Sequence, residues 1–351
     1  YQEGIDNLPQ LCGSSAVWGD FNNDGYLDLL FSGDSESGPI TAVYKNNQDN
    51  SFSPISTVFT GLKNGSAAWG DYDNDGYIDI LLTGNDGSHP RTIIYRNKGD
   101  ETFEEITPIP GELEGVEFGN AAWGDFDNDG DLDIVLTGSN TSGTFTKVYR
   151  NDGSNIFTDI IVGLAECSHS NVQWGDYNND GYLDILLTGE ASSGKFAKVY
   201  KNIGGAFAGI FQIVTEITNS SSAWGDFDQD GDIDFIITGE STSGLVTQIY
   251  RNDGGDSFTM IDPGIVAVKN GHIAWGDYDN DGDFDVVILG ENSSGDPIIR
   301  LYRNDNGTFN ELPQGVSGLH VNVKNGQASF GDYDNDGDLD LVVTGCTNTG
   351  G

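Results

Sequence analysis

The sequence predicts an all-β fold, a seven-bladed β-propeller built of four-stranded antiparallel blades. Three observations support this prediction. An acidic, glycine-containing stretch recurs seven times in the 351 residues, at intervals of about 50. Each interval reads as four short strands separated by glycine-rich turns. No segment shows the sustained helical spacing of apolar residues that an amphipathic helix needs. Because a period of this length indicates stacked supersecondary units, we treat residues 1–351 as a single domain of seven repeats.

The second repeat shows the expected strand order. Its first strand is SAAWGDY, its second YIDILLTG, its third RTIIYRN and its fourth FEEITPI. The second strand is almost continuously apolar, which is typical of a strand that is covered on both faces. Blades packed radially around an axis provide that cover. A linear β-solenoid is the alternative, but its repeats are shorter and have no four-stranded meander.

The recurring acidic stretch lies between the first and second strands of each repeat. Its pattern is D-x-[DN]-x-D-G-x-x-D, as in DYDNDGYID over residues 71–79. Calcium takes about six to eight hard oxygen ligands, which carboxylates at alternate positions of a tight loop can supply. We expect side-chain oxygens from positions 1, 3, 5 and 9 and a backbone carbonyl from position 7. The glycine at position 6 allows the sharp turn that such a loop requires.

These positions give a candidate ligand set in every repeat. In the first four repeats the set is Asp20, Asn22, Asp24, Tyr26 and Asp28; Asp71, Asp73, Asp75, Tyr77 and Asp79; Asp125, Asp127, Asp129, Asp131 and Asp133; Asp176, Asn178, Asp180, Tyr182 and Asp184. In the last three it is Asp226, Asp228, Asp230, Asp232 and Asp234; Asp277, Asp279, Asp281, Asp283 and Asp285; Asp332, Asp334, Asp336, Asp338 and Asp340. A plain hairpin turn at Asn-Asp-Gly is the alternative. It would leave the flanking aspartates unexplained.

Composition favours bound cations over other partners. The chain has 56 acidic side chains against 15 basic ones and a formal net charge of -41. Nucleic acids and anionic membrane surfaces repel such a polyanion, so we expect neither as a partner. No apolar run reaches the roughly 18 residues of a membrane-spanning helix, so we expect no membrane insertion. The 36% of apolar residues is enough for a packed core, which argues against disorder.

Seven copies of this loop, each followed by an apolar strand, make the chain resemble the FG-GAP (VCBS-type) repeats of bacterial surface proteins and of the integrin α-subunit head. The resemblance covers essentially the whole chain and implies a propeller with calcium between the first and second strands of a blade. In integrin-like heads only some blades have a complete calcium loop, whereas in this chain the loop is complete in all seven repeats. We therefore predict up to seven bound Ca2+ ions. Because millimolar calcium occurs outside cells, we expect a secreted or cell-surface protein.

The connections on the face opposite the calcium loops vary most between repeats. All four histidines are assigned to these second-to-third and fourth-to-first connections, namely His89, His169, His272 and His320. Variable loops on a rigid scaffold are common recognition sites. We expect an adhesion or recognition module with a glycan or protein ligand on this non-calcium face. The alternatives are a structural subunit of an extracellular assembly or filament and a non-catalytic module of a larger enzyme. Because no nucleophile motif accompanies the histidines, we do not expect an enzyme.

The seventh repeat is predicted to be incomplete. Tyr1 aligns with the aromatic residue that opens the fourth strand of other repeats, so the N-terminal strand would complete the last blade, which lacks its third strand. Either the native chain continues further, or another chain donates the strand, which would permit self-assembly through the open blade. Cys12 and Cys346 both lie near this seam and could form a disulfide. Cys167 lies three blades away and should be free.

Basic residues end six of the predicted third strands, in the element VYKN and its variants. They are Lys45, Arg96, Arg150, Lys201, Arg251 and Arg303. We interpret them as local charge compensation for the acidic loops. A ring that binds anions is the alternative.

Overall fold

The computed structural model describes residues 8–313, 319 and 321–347, which form 25 β-strands. No helix that could cross a membrane occurs in these ranges. The strands of the first three repeats are β1 (Cys12–Gly19), β2 (Asp28–Ser35), β3 (Gly38–Asn46), β4 (Phe52–Pro54), β5 (Ala67–Gly70), β6 (Asp79–Asn85), β7 (Pro90–Asn97), β8 (Phe103–Glu105), β9 (Ala121–Gly124), β10 (Asp133–Asn140), β11 (Gly143–Asn151) and β12 (Phe157–Ile160). Those of the last four are β13 (Cys167–Gly175), β14 (Asp184–Ala191), β15 (Gly194–Asn202), β16 (Phe207–Gly225), β17 (Asp234–Ser241), β18 (Gly244–Asn252), β19 (Phe258–Ile261), β20 (Lys269–Gly276), β21 (Asp285–Glu291), β22 (Pro297–Asp305), β23 (Thr308–Glu311), β24 (Ala328–Gly331) and β25 (Asp340–Val343).

Within a repeat, strands that follow one another in sequence are antiparallel neighbours. The order is β1-β2-β3-β4 in the first repeat, and the second, third and sixth repeats have the same meander. The fourth and fifth repeats share the long strand β16. Its residues 207–217 pair with β15, and its residues 218–225 pair with β17. The prediction of an all-β fold with four-stranded antiparallel blades is confirmed.

The second strand of a blade is covered on both faces, as its apolar sequence predicts. In β6, Ile80, Leu81 and Leu82 are each at most 1% exposed. Ile80 and Leu82 belong to a cluster with Leu30 of the first repeat, whereas Leu81 packs with Ile134 of the third. Successive side chains of a strand emerge on opposite faces of its sheet. The hydrophobic core is therefore a series of layers between neighbouring blades.

The Trp-Gly pair that ends each first strand joins neighbouring blades. The ring of Trp69 stacks on Phe21 of the preceding repeat with an interplanar angle of 7°. Trp69 Nε1 also donates a hydrogen bond to Val17 O at 3.4 Å. The indole covers Gly19, where an added Cβ would lie 2.6 Å from Trp69 Cδ1. Since no side chain fits in that space, glycine follows the aromatic residue in every repeat.

Contacts of the same kind join the last repeat to the first. Trp18 stacks on Tyr333 with an interplanar angle of 9°, and its Nε1 donates to Ser329 O at 3.1 Å. Val342 of β25 packs in one cluster with Leu11 at the start of the first repeat. The repeats therefore surround a common axis, as in a propeller.

A covalent bond reinforces this seam. Cys12 and Cys346 form the disulfide that the sequence left open, and Cys167 is free, as expected, and buried. In the described part of the seventh repeat, β24 pairs with β25. The predicted completion of this blade by the segment at Tyr1 falls on residues outside the described ranges.

A ring of polar side chains near the axis was missed by sequence analysis. Ser15 Oγ accepts a hydrogen bond from Ala67 N of the next blade at 3.1 Å, and Gln327 Oε1 accepts one from Ala16 N at 3.2 Å. His169 and His272 were both assigned to variable connections, but they lie in β13 and β20, and His272 is part of this ring. Burial lowers the pKa of His272 to about 4, which keeps it neutral. The ring consists of the residues three positions before each Trp or Phe330: Ser15, Ser66, Asn120, Asn171, Ser221, His272 and Gln327.

Candidate metal centre

Each acidic loop closes on its own first aspartate. In the second repeat, Asp71 Oδ1 accepts a hydrogen bond from Asp75 N at 3.1 Å, and Asp71 Oδ2 accepts one from Gly76 N at 2.9 Å. Asn74 and Gly76 both adopt left-handed backbone conformations, with φ of 56° and 91°. Asparagine and glycine adopt this conformation at the lowest cost. All seven loops have the same two bonds to position 1, so they share one geometry.

The aspartate at position 9 anchors the loop to the core of the blade. Asp79 is fully buried at the start of β6. Its Oδ2 accepts a hydrogen bond from Tyr72 N at 3.0 Å, and its Oδ1 accepts one from Asn97 N at 2.7 Å. Five other repeats have both bonds, and Asp340 of the seventh has the first of them. Position 9 is therefore an anchor as well as a candidate ligand.

The aspartates at position 9 resist ionisation. Burial, and then the nearby loop carboxylates, raise the pKa of the position 9 aspartates against the opposing effect of the backbone donors. The pKa is about 7 for Asp28, Asp79, Asp133, Asp184 and Asp234, and about 6 for Asp285 and Asp340. The pKa of Asp73 at position 3 is also raised, first by burial and then by the Asp75 carboxylate. A cation among these groups would favour their charged forms.

Five loops bring three carboxylates together, with one oxygen of each within 4.8 Å of the others. Three groups combine positions 1, 3 and 9, and two combine positions 1, 3 and 5. They are Asp71, Asp73 and Asp79; Asp125, Asp127 and Asp133; Asp277, Asp279 and Asp285; Asp226, Asp228 and Asp230; Asp332, Asp334 and Asp336. These five groups could each hold a metal ion.

The first and fourth loops have asparagine at position 3. Asn22 Nδ2 donates to Asp24 Oδ2 at 3.1 Å, and Asn178 Nδ2 donates to Asp184 Oδ2 at 3.2 Å. Both amides therefore lie among the candidate ligands of their own loops. The contribution of the position 7 carbonyls, including those of Tyr26, stays a prediction.

Two buried oxygen atoms show that a cation fits these loops. Asp73 Oδ1 and Asp127 Oδ1 are buried and have no hydrogen-bond partner within the described ranges. A buried polar atom without a partner costs about 1–3 kcal/mol, and coordination to a cation would satisfy it. The donors are carboxylate and amide oxygens, which suit hard cations such as calcium or magnesium better than soft metals. The donor set therefore fits calcium.

The match to a family of known repeats agrees with this geometry. The model of the FG-GAP-like repeat matches residues 20–82, 71–136, 125–187, 226–288 and 277–343. These segments include all seven acidic loops. This chain belongs to the FG-GAP-like repeat family. FG-GAP repeats are typical of extracellular proteins.

Three solved structures of low sequence identity align with most of this chain, and one of them, with a TM-score of 0.50, shares its fold. BBS1N, from a complex with ARL6DN, aligns with a TM-score of 0.50 and 13% identity over 99% of this chain and 92% of its own. Aleuria aurantia lectin, in complex with alpha-methyl-L-fucoside, gives a TM-score of 0.48 and 10% identity over 96% of this chain and 97% of the lectin. The V. cholerae biofilm matrix protein Bap1 gives 0.40 and 13% over 97% of this chain, which spans 62% of Bap1. No curated protein sequence matches this chain significantly.

The asparagine that ends each third strand fixes the FG-GAP loop, a role that sequence analysis missed. Asn97 is fully buried, and its Nδ2 donates to Ile78 O at 3.1 Å and to Phe21 O of the preceding repeat at 2.8 Å. Its Oδ1 accepts a hydrogen bond from Gly99 N at 3.0 Å. The equivalent residues are Asn46, Asn151, Asn202, Asn252 and Asn304. The asparagine occurs in all six YKN or YRN elements, which is the sequence signal that could have identified it.

Position 4 connects each FG-GAP loop to the next one. Asn23 Nδ2 donates to Gly76 O of the second loop at 2.8 Å, and Asn335 of the seventh loop donates to Gly25 O of the first at 2.9 Å. The other donors are Asn74, Asn128, Asn179, Gln229 and Asn280. The accepting glycine lies between candidate ligands 5 and 7. A loop that is fixed in this conformation therefore helps to fix the conformation of the next loop.

The basic residues that end the third strands all pair with carboxylates. Arg96 Nε lies 2.7 Å from Asp73 Oδ2, and Arg96 Nη2 lies 3.1 Å from Asp75 Oδ2, so this residue contacts two candidate ligands. The partners of the other five lie outside the acidic loops. All six residues are therefore paired with carboxylates rather than gathered in an anion-binding ring, but only Arg96 pairs with an acidic loop, as the predicted compensation of the loops requires.

Proposed function

We propose that this protein is a calcium-stabilised recognition module that works outside the cell and binds a glycan or protein ligand on the face opposite its FG-GAP loops. The main support is the contrast between the two ends of the first strands. At one end, carboxylates gather in loops that are hydrogen-bonded into a ring. At the other end, the strands begin around an opening that is lined mainly by Gly, Ser and Asn residues.

Calcium has a structural role in this proposal. The side chains at positions 1, 3, 5 and 9 would hold it, and its charge would offset the repulsion between them. For a site with a Kd on the order of 0.1 mM in millimolar calcium, mass action adds about 1–2 kcal/mol. Seven such sites together would match the roughly 5–15 kcal/mol stability of a whole domain. Bound calcium would thus stabilise the loop face, where the carboxylates would otherwise repel one another.

The extracellular setting follows from the same requirement for millimolar calcium. The disulfide between Cys12 and Cys346 supports it, because such bonds persist in oxidising compartments. This bond joins the beginning of β1 to the seventh repeat, so it would hold the ring closed when calcium is low.

Recognition is assigned to the non-calcium face because its connections differ between repeats. Two exposed apolar side chains lie at this face. Phe118 is 40% exposed, and its N donates to Asn64 O. Val321 is 57% exposed and precedes Asn322, whose Oδ1 accepts a hydrogen bond from Ile299 N near the start of β22. Varied loops that present apolar groups on a rigid scaffold suit contact with a partner.

The test is binding of the full chain to a glycan array and to a panel of extracellular matrix proteins in millimolar calcium. We expect binding that is lost in EDTA and restored by calcium. A variant with Phe118→Asn and Val321→Ser, both on the non-calcium face, should bind more weakly. Met260→Ser in the outer strand β19 is the matched control and should bind normally. Absence of binding to both panels, or binding that the non-calcium-face variant retains in full, would contradict the proposal.

A further inference from the structure

The first strands begin around an axial cavity of about 320 Å³ on the face opposite the FG-GAP loops. One residue from each repeat, five positions before the Trp or Phe330, lines this cavity. These residues all have left-handed backbone conformations, with φ between 46° and 57°. Asparagine fills four of the positions and glycine a fifth, while Phe118 and His169 fill the other two.

The rim of the axial cavity is held by hydrogen bonds between blades. Asn64 N donates to Gly13 O at 2.8 Å, and Phe118 N donates to Asn64 O at 2.7 Å. On the other side, Asn325 N donates to Asn270 O at 2.7 Å. A site whose backbone is already fixed loses little conformational entropy when it binds a ligand.

Phe118 and His169 depart from the pattern in a way that points to a ligand. Asparagine and glycine tolerate left-handed backbone, whereas a bulky side chain there is strained. The two residues belong to neighbouring blades, and their rings stack with centroids 5.0 Å apart and an interplanar angle of 12°. Phe118 is nevertheless 40% exposed. An aromatic pair kept in strained backbone at the mouth of a cavity suggests that the exposed ring surface is used for binding.

The polar groups of the cavity complement this aromatic surface. The side-chain amides of Asn64, Asn219, Asn270 and Asn325 have no hydrogen-bond partner within the described ranges. An amide both donates and accepts hydrogen bonds, as a hydroxyl group does. Among the residues that the structure describes, no Asp, Glu, Lys or Arg lines the cavity, although the chain has a net charge of -41. A neutral ligand with several hydroxyls and one apolar face matches these features.

We propose that the axial cavity binds the terminal sugar of a neutral glycan. The stacked rings of Phe118 and His169 receive the apolar face of the sugar, and the asparagine amides bind its hydroxyls. The cavity volume lies at the lower end of the roughly 300–1,000 Å³ range of ligand pockets, which suits one sugar unit rather than an extended chain. This inference rests on the proposed recognition function and assigns it a ligand class and a position.

The test uses the full chain in millimolar calcium. The glycans that bind on an array are re-measured by titration calorimetry with their terminal sugars as methyl glycosides. The double variant Phe118→Asn/His169→Asn replaces both aromatic residues by the type that the other repeats use in this conformation. It should therefore fold at least as stably as the parent chain but lose at least about tenfold in affinity. Met260→Ser is the control and should keep full affinity.

The outcomes separate this inference from the proposed function. Loss of sugar binding in the double variant, together with an unchanged or raised Tm, supports the axial site. If the double variant keeps its affinity for the sugar, the axial site is overturned, and the glycan binds elsewhere on the non-calcium face. If the chain binds proteins but no glycan, the axial site is overturned, whereas the proposed recognition function stands. Absence of both ligand classes would overturn the proposed function as well.

Discussion

Asn46 provides a test of how the loops are held, because its side chain links the first blade to the seventh. It is 2% exposed, and its Nδ2 donates to Leu27 O at 3.1 Å and to Tyr333 O at 2.7 Å. Its Oδ1 accepts a hydrogen bond from Gln48 N at 2.9 Å. Asn46→Ala would leave the two carbonyls without their donor, at about 1–3 kcal/mol each. Because Gln48 is exposed, water can replace its lost acceptor. We expect a loss of about 2–6 kcal/mol in the free energy of unfolding.

The assay is urea unfolding in saturating calcium, followed by tryptophan fluorescence. The next residue gives a matched control, since Asn47 is exposed and its Nδ2 bonds only to the hydroxyl of Ser51 within the described ranges. Asn47→Ala should change stability by less than about 0.5 kcal/mol. A loss below about 1 kcal/mol for Asn46→Ala, or equal losses for both variants, would refute the role given to this asparagine.

Three further predictions follow. In calcium-depleted buffer, the Tm should rise as pH falls from about 7 to about 4, because the folded-state pKa of Asp79 and its equivalents lies above the unfolded value of about 3.9. With calcium bound, the Tm should instead fall over the same pH range. A Tm that rises toward pH 7 without calcium would contradict this prediction. Gly124→Ala should lower the free energy of unfolding in urea by about 1–3 kcal/mol, since the added Cβ would lie 2.6 Å from Trp174 Cδ1. Gly111→Ala is the control and should leave it unchanged, because no atom lies within 4 Å of the added Cβ. Asn128→Ala removes the bond to the carbonyl of the next loop and should weaken calcium binding severalfold in calorimetry; unchanged affinity would exclude coupling between loops.

The features that could be predicted from the sequence are those encoded by residues close together in the chain. The nine residues from Asp71 to Asp79 contain a whole loop, and the apolar strand after them is visible without any knowledge of its neighbours. The family resemblance rests on the same contiguous pattern. This is why the strand order, the candidate ligands and the family could all be predicted.

The parts that were missed depend on contacts between repeats. Asn23 bonds to Gly76, 53 residues away, and Asn46 bonds to Tyr333, 287 residues away. Nothing near these residues in the chain shows such partners, although their recurrence in the repeats marks them as constrained. His272 was assigned to a connection, although its equivalent in the second repeat, Ser66, opens the predicted first strand. Its place in the ring becomes clear only from the packing of β20 against the neighbouring blades.

The central claim, that the FG-GAP loops bind calcium, is tested most directly by native mass spectrometry of the full chain. The mass in millimolar calcium is compared with the mass after treatment with EDTA. We predict a difference of seven calcium ions, one for each loop, and a lower Tm for the calcium-free form. Equal masses in the two buffers, with no calcium bound, would contradict the account.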